Sequence, residues 1–347
     1  MMKGRRWLSV LGLLLATGLS AQDYFNHMDL GINVSSTGIG ADITMPVGDY
    51  VRLRTGFTYM PKFTLDSNFG VDFMGDVSAD KLRRMKDMMS YFTGEPMQDN
   101  IDMQMTPTWA QFKFLVDIMP FKNNKHWNVT LGFYAGPAKI GEALNDPSGN
   151  TTLVGVNMYN SMYLKACKGE PLFRYEDSHG TYHNLDVNGL ESRLTEARMM
   201  GAHMGYFPDG SKAVMVPNRY NQAEAEMTVS KIRPYIGVGY TTALSRDHRF
   251  NMAVDAGVMF LGGAPHIYVD NVYRVNSSDD YDMISWNQKI FDETGDLSKA
   301  WIPQKSERID LTRDVTNIPG KVGDMVSTAK KFKCWPVLSI TFSHRLF

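Results

Sequence analysis

The stretch DLGINVSSTGIGADITMPVGDYVRLRTGF, Asp29–Phe57, decides the fold. Its apolar residues recur at every second position. Leu30, Ile32 and Val34 alternate with Asp29, Gly31, Asn33 and Ser35. Ile39, Ala41, Ile43 and Met45 alternate with Gly40, Asp42 and Thr44. Val51, Leu53, Phe57 and Tyr59 oppose Arg52, Arg54, Gly56 and Thr58. A period of two reads as half-buried β-strands, here joined by a tight turn at Ser36–Gly38 and a short connection at Pro46–Asp49.

The same alternation returns in Trp109–Met119, Trp127–Gly136, Ile232–Thr241, Phe250–Phe260 and Val337–Phe347. That makes eight strands of roughly ten residues, long enough to cross a bilayer at a barrel tilt. Short connections at Pro46–Asp49, Phe121–His126 and Thr242–His248 alternate with long segments near 61–108, 140–230 and 262–333. Short turns at one end and long loops at the other are how membrane barrels are built, and a soluble sandwich has no reason for this parity. The expected fold is an all-β membrane protein: an eight-stranded antiparallel up-and-down transmembrane β-barrel with large, partly helical extracellular loops. An even strand count puts both termini on the short-turn, periplasmic side.

The N-terminus supports export. Lys3, Arg5 and Arg6 precede the apolar run Trp7–Leu15 and the small residues of Ala16–Ala21, the pattern of a secretory signal peptide. Cleavage after Ala21 leaves residues 22–347 as a single barrel domain with extracellular insertions; cleavage after Ser20 is the alternative. Lys plus Arg is 36 and Asp plus Glu 37, so no single-sign field favours nucleic acid as a partner. The two cysteines, Cys167 and Cys334, either pair in the oxidising compartment or remain two free thiols.

With these residues in hand, the chain resembles the small outer-membrane barrels of the OmpA and OmpX type of Gram-negative bacteria. The resemblance is carried by the signal peptide, by Asp29–Phe57 and by the closing LSITFSHRLF, Leu338–Phe347. It covers the eight strands and none of the long segments. It implies an outer-membrane location, contact with outer-membrane lipid and lipopolysaccharide, and insertion by the barrel-assembly machinery. The assembly signal it implies falls on Phe342, Leu346 and Phe347. The register departs from the family pattern, because Phe347 shares a face with Ser343 and Arg345 while Leu346 continues the apolar face.

An eight-stranded barrel is just wide enough inside for its own side chains. The inward faces supply Asp29, Asp42, Asp117 and Asp255 against Arg52, Arg54, Lys113, Arg233 and Arg345. Buried charge is costly unless paired, so these residues predict an ion-paired plug; a proton or ion path is the alternative. In the long segments, Ser78–Phe92 predicts an amphipathic helix with Leu82, Met85, Met89 and Phe92 on one face, and Asn188–Met200 predicts another. Thr152–Asn157, Ala213–Val216 and Ile267–Val275 read as strands. The 24 methionines read chiefly as adaptable core filler.

No motif for a cofactor or a nucleophile is present, and none is expected to bind. His179 and His183, four apart near Glu176, Asp177 and Asp186, sit in a turn-like context with Gly180. Asp279, Asp280 and Asp282 lack the spacing of a calcium loop. His203 and His266 are rim histidines with no assignable partner. The function expected is binding by the extracellular loops, either to another outer-membrane protein as an accessory subunit or to an external ligand. Loop aromatics such as Trp109, Tyr159, Tyr163, Tyr182, Tyr206, Trp286 and Trp301 fit a binding surface, a loop core or an aromatic girdle. The alternatives are an enzyme acting at the barrel rim on lipid or peptide, and a narrow channel.

Overall fold

The computed structural model describes residues 27–70, 79–145, 151–167, 169–185, 187, 189–190, 200–275 and 306–346. The signal-peptide region, Phe347, the 279–282 cluster, Trp286, Trp301 and most of the 188–200 helix lie outside them.

Eight strands close into an antiparallel barrel. In chain order these are β1 (Asp29–Ser35), β2 (Gly38–Val47), β3 (Val51–Tyr59), β6 (Ala110–Ile118), β7 (Trp127–Ala135), β14 (Ile232–Ala243), β15 (Phe250–Phe260) and β18 (Cys334–Arg345). Each pairs with its predecessor, and β1 closes on β18 with Asp29 opposite Arg345 and Ser35 opposite Ser339. The outward face is apolar and open: Ile32 is 69%, Val34 62% and Leu338 62% exposed. Water would penalise such a continuous surface heavily, whereas lipid accepts it. Aromatic side chains rim it at both ends. Tyr50, Phe121, Trp127, Tyr240 and Phe250 lie towards the short turns, and Phe57, Tyr59, Phe112 and Phe260 lie towards the long segments. The fold is therefore a transmembrane barrel, and it closes at eight strands.

The long segments build a second, eight-stranded sheet on top. It contains β4 (Leu65–Gly70), β5 (Asn100–Pro107), β8 (Lys139–Asn145), β11 (Ala202–Tyr206), β12 (Lys212–Met215), β13 (Glu224–Thr228), β16 (His266–Val275) and β17 (Glu307–Asp310). The order β4-β5-β8-β13-β16 repeats the barrel order β3-β6-β7-β14-β15, each strand lying a few residues along the chain from its counterpart. Five barrel strands thus run on upward as one wall. Backbone bonds cross the junction without a gap: Met60 N donates to Trp109 O (2.7 Å), Thr108 N to Ile140 O (2.9 Å) and Val229 N to Ala138 O (2.9 Å). The other three strands stop at the rim, where the β1–β2 turn is tied to β18 by Ser36 Oγ donating to Pro336 O (2.8 Å).

Among the described residues, three helices and a hairpin complete the cap: α1 (Ala79–Thr93), α2 (Thr151–Cys167), α3 (Gly320–Lys331), and β9 (Phe173–Glu176) paired with β10 (Tyr182–Leu185). The expected helix at 78–92 forms as α1. Met89 is fully buried, but Phe92 is partly exposed and stacks on Phe173 of the hairpin at 6.2 Å, so it leaves the core face. The strand expected at Thr152–Asn157 is instead the start of α2. Leu153, Val156, Tyr159, Tyr163 and Ala166 are buried at helical spacing against the cap sheet, and that stripe outweighs the β-branched residues at its beginning. The strands expected at 213–216 and 267–275 form as β12 and β16. Met89, Met97, Met200 and Met204 fill this same core, as do Tyr159 and Tyr163, which are therefore not surface-binding residues. Helix α3 spans the low side of the rim, from the end of β4, where Lys321 Nζ donates to Asn68 O (3.1 Å), to the first residue of β18.

Candidate functional site

Alternation along each strand sends every second side chain into the barrel, and the charges named from sequence all arrive there. Asp29, Asp42, Arg54, Lys113, Asp117, Arg233 and Asp255 are buried; Arg52 and Arg345 are part-buried. Arg54 lies at the centre. Its Nη1 donates to Asp255 Oδ2 (2.5 Å) and its Nη2 to Asp255 Oδ1 (3.0 Å), a two-pronged pair, while Nη2 also reaches Asp117 Oδ1 (2.9 Å). Arg52 Nε holds the other Asp117 oxygen (3.1 Å), and Thr130 Oγ1 adds a third donor (2.8 Å). Lys113 Nζ pairs with Asp42 Oδ1 at 2.8 Å. Towards the short-turn end, Arg345 Nε and His27 Nε2 each stand 3.7 Å from Asp29.

Above the charges lies an aromatic layer that the alternation contained but composition did not flag. Tyr134 and Tyr235 meet edge to face at 5.5 Å. The ring of Tyr235 lies over Gly237 and Gly257, where an added methyl would overlap its hydroxyl; these two positions have no room for a side chain. Higher still, Trp109 meets Trp335 edge to face at 4.8 Å, with Leu115, Met259 and Val337 filling between. Arg233 sits under this lid with no carboxylate partner among the described residues. Its Nη1 donates to Gln111 Oε1 (2.9 Å), Nη2 to Pro137 O (2.5 Å) and Nε to Ser230 O (2.8 Å), and its guanidinium lies 5.7 Å from the Trp109 ring. Trp109 is thus a barrel-mouth residue and not a surface contact. The interior is a stack of a charged layer, an aromatic layer and a capped arginine, each filled by its own side chains.

The histidines separate. His179 and His183 lie on the β9–β10 hairpin, whose turn has Gly180 at φ 78°. His183 Nε2 bonds Asp177 Oδ2 (2.8 Å) while His179 contacts Ser178, so the two rings serve different partners. His203 lies edge to face with Tyr206 at 4.9 Å. His266 gains a partner that sequence reasoning missed: its Nδ1 lies 2.6 Å from Asp310 Oδ2. The ionised carboxylate only accepts, so the proton sits on Nδ1. Asp310 Oδ1 also accepts from Thr312 Oγ1 (2.6 Å), Thr312 N (2.9 Å) and Ile267 N (3.3 Å). Burial works to raise the Asp310 carboxyl, but the Thr312 and His266 hydrogen bonds hold it below its usual range. A carboxylate depressed in the folded state stabilises above its unfolded value, about pH 3.9, and that contribution is lost as pH falls through the folded value. The cap is therefore expected to lose protease resistance below about pH 4, and Asp310→Asn to be weakened already at neutral pH with a smaller further loss in acid. Limited proteolysis across pH 3–7 checks both.

Cys334 is exposed and carries a free thiol; the side chain of Cys167 lies outside the described residues. Phe342 and Leu346 point outward, both half-exposed.

No protein-family model and no curated protein matches the chain. Solved structures that resemble it include CarO2 of Acinetobacter baumannii, at 10% identity over 92% of this chain and 98% of that one with a TM-score of 0.38; and CarO of the same organism, at 11% identity over 91% and 96% with a TM-score of 0.35.

Proposed function

We propose that this chain is a non-enzymatic outer-membrane surface protein in which the barrel is a sealed anchor and the cap is a binding platform. The signal peptide read from Met1–Ala21 and the apolar outer wall support the location. The parity of short turns and long segments supports a cap facing outward and termini facing the periplasm. The observation that carries the reading is the cap's own hydrophobic core, continuous from α1 and α2 to the sheet. Long segments that serve only as connections have no need of one. The cap presents aromatic side chains outside that core: Tyr91, Tyr175, Tyr182 and Tyr220 are all exposed. Such rings supply contact area at small entropy cost, as at many binding surfaces.

The partner is either another outer-membrane protein, which the cap joins as an accessory subunit, or a ligand outside the cell. The test is a pull-down of the tagged full chain from native outer membranes in mild detergent, followed by glycan and surface-protein binding assays. A ligand retained by the wild type and lost in a Tyr91→Ala, Tyr182→Ala variant is expected. Absence of any cap-dependent ligand in all three assays contradicts the proposal.

A further inference from the structure

We infer that the rim formed by the end of α3 and the first residues of β14 and β18 binds the phosphate groups of lipopolysaccharide. This rests on the outer-membrane reading above. Lys330 and Lys331 close α3, Lys333 precedes β18, and Lys231 precedes β14. All four are exposed, and among the described residues none of their ammonium groups makes an ion pair or a side-chain hydrogen bond. Backbone bonds bring them to one side of the barrel mouth. Leu261 N donates to Lys333 O (3.0 Å), and Ser230 N donates to Leu261 O (3.0 Å). Lys333 and Lys231 are thus two strand spacings apart, roughly 10 Å.

Directly below them the lipid-facing wall begins. Ile232 on β14, Leu338 on β18, Phe260 at the end of the intervening β15 and Phe332 between α3 and β18 are exposed apolar side chains. Any lipid whose chains pack on that wall places its headgroup at the level of the lysines. Unpaired ammonium groups at that height match an anionic headgroup, and a phosphate is a good acceptor for a lysine. Some other rim and cap cations are already matched: Lys125 with Asp49 at 3.5 Å, and Lys139 with Glu226 at 2.8 Å. A plainer role for Lys330 and Lys331 is to complement the dipole at the end of α3. That role predicts an effect on stability and none on lipid.

The experiment uses the purified full chain in phosphatidylcholine vesicles doped with lipopolysaccharide, with bound lipid quantified after extraction. Each basic residue near an anionic surface contributes on the order of fivefold in affinity. The Lys330→Gln, Lys331→Gln, Lys333→Gln variant should bind at least tenfold more weakly, an effect on the order of that rule. The matching triple arginine variant should retain binding, and Lys122→Gln, at the short-turn rim, should change nothing. Heat-modifiable gel mobility shows that each variant is folded. Equal binding by the glutamine variant, equal binding of dephosphorylated lipid, or displacement by millimolar inorganic phosphate overturns the inference. Failure of the wild type to insert into vesicles at all would instead remove the membrane reading on which it rests.

Discussion

Arg54→Ala will unfold at markedly lower denaturant than the wild type, with a loss of about 3–5 kcal/mol. The substitution removes one guanidinium and strands Asp255, which is buried and has only a long contact from Ser339 Oγ (3.4 Å) to fall back on. Asp117 fares better, since Arg52 and Thr130 still hold it. The cost is that of an uncompensated buried charge, and not the net worth of the pair. A second substitution separates the two. Adding Asp255→Asn removes the stranded charge, so the double variant should recover part of the loss. Tryptophan fluorescence through a urea titration in detergent micelles measures both; Trp109 and Trp335 lie within the barrel mouth and report its opening.

Tyr159→Ala will loosen the cap and leave the barrel closed. Tyr159 is fully buried and lies parallel to Tyr163 at 6.4 Å, between α2 and the cap sheet. Removing a buried ring of this size from a packed core costs about 3–5 kcal/mol, the cavity included. The cap core and the barrel-mouth core are distinct clusters that meet only through partly buried residues such as Met227. Cap segments should therefore become protease-sensitive in the variant while the barrel keeps its heat-modifiable mobility. A barrel that melts together with the cap would show the two to be one cooperative unit.

The barrel was legible because lipid on one side and packed polar groups on the other impose the same alternation on every strand. Phe250–Phe260 was expected and found with identical bounds. The interior charges followed from that alternation, since a residue two positions from Asp117 or Arg54 has no choice of face. What escaped the sequence is what depends on tertiary partners. The β4 segment, Leu65–Gly70, is polar on a cap sheet that water reaches, so no alternation marks it. The α2 stripe shows only across the whole of Thr151–Cys167, while its first residues read as strand. His266 and Asp310 meet across 44 residues of chain, a pairing that β16 and β17 create and spacing cannot suggest. The alternation puts Arg233 on the inward face, but its carbonyl partners Ser230 and Pro137 exist only because β14 and β7 leave the barrel together.

A barrel filled by its own paired charges and aromatic rings passes no current. Single-channel recording from the purified wild-type chain in a planar bilayer measures this. The filled interior predicts a silent membrane at any moderate voltage, with Arg54→Ala at most adding rare, brief openings. Steady stepwise conductance from the wild type would contradict it, and would make the buried charges a path for ions.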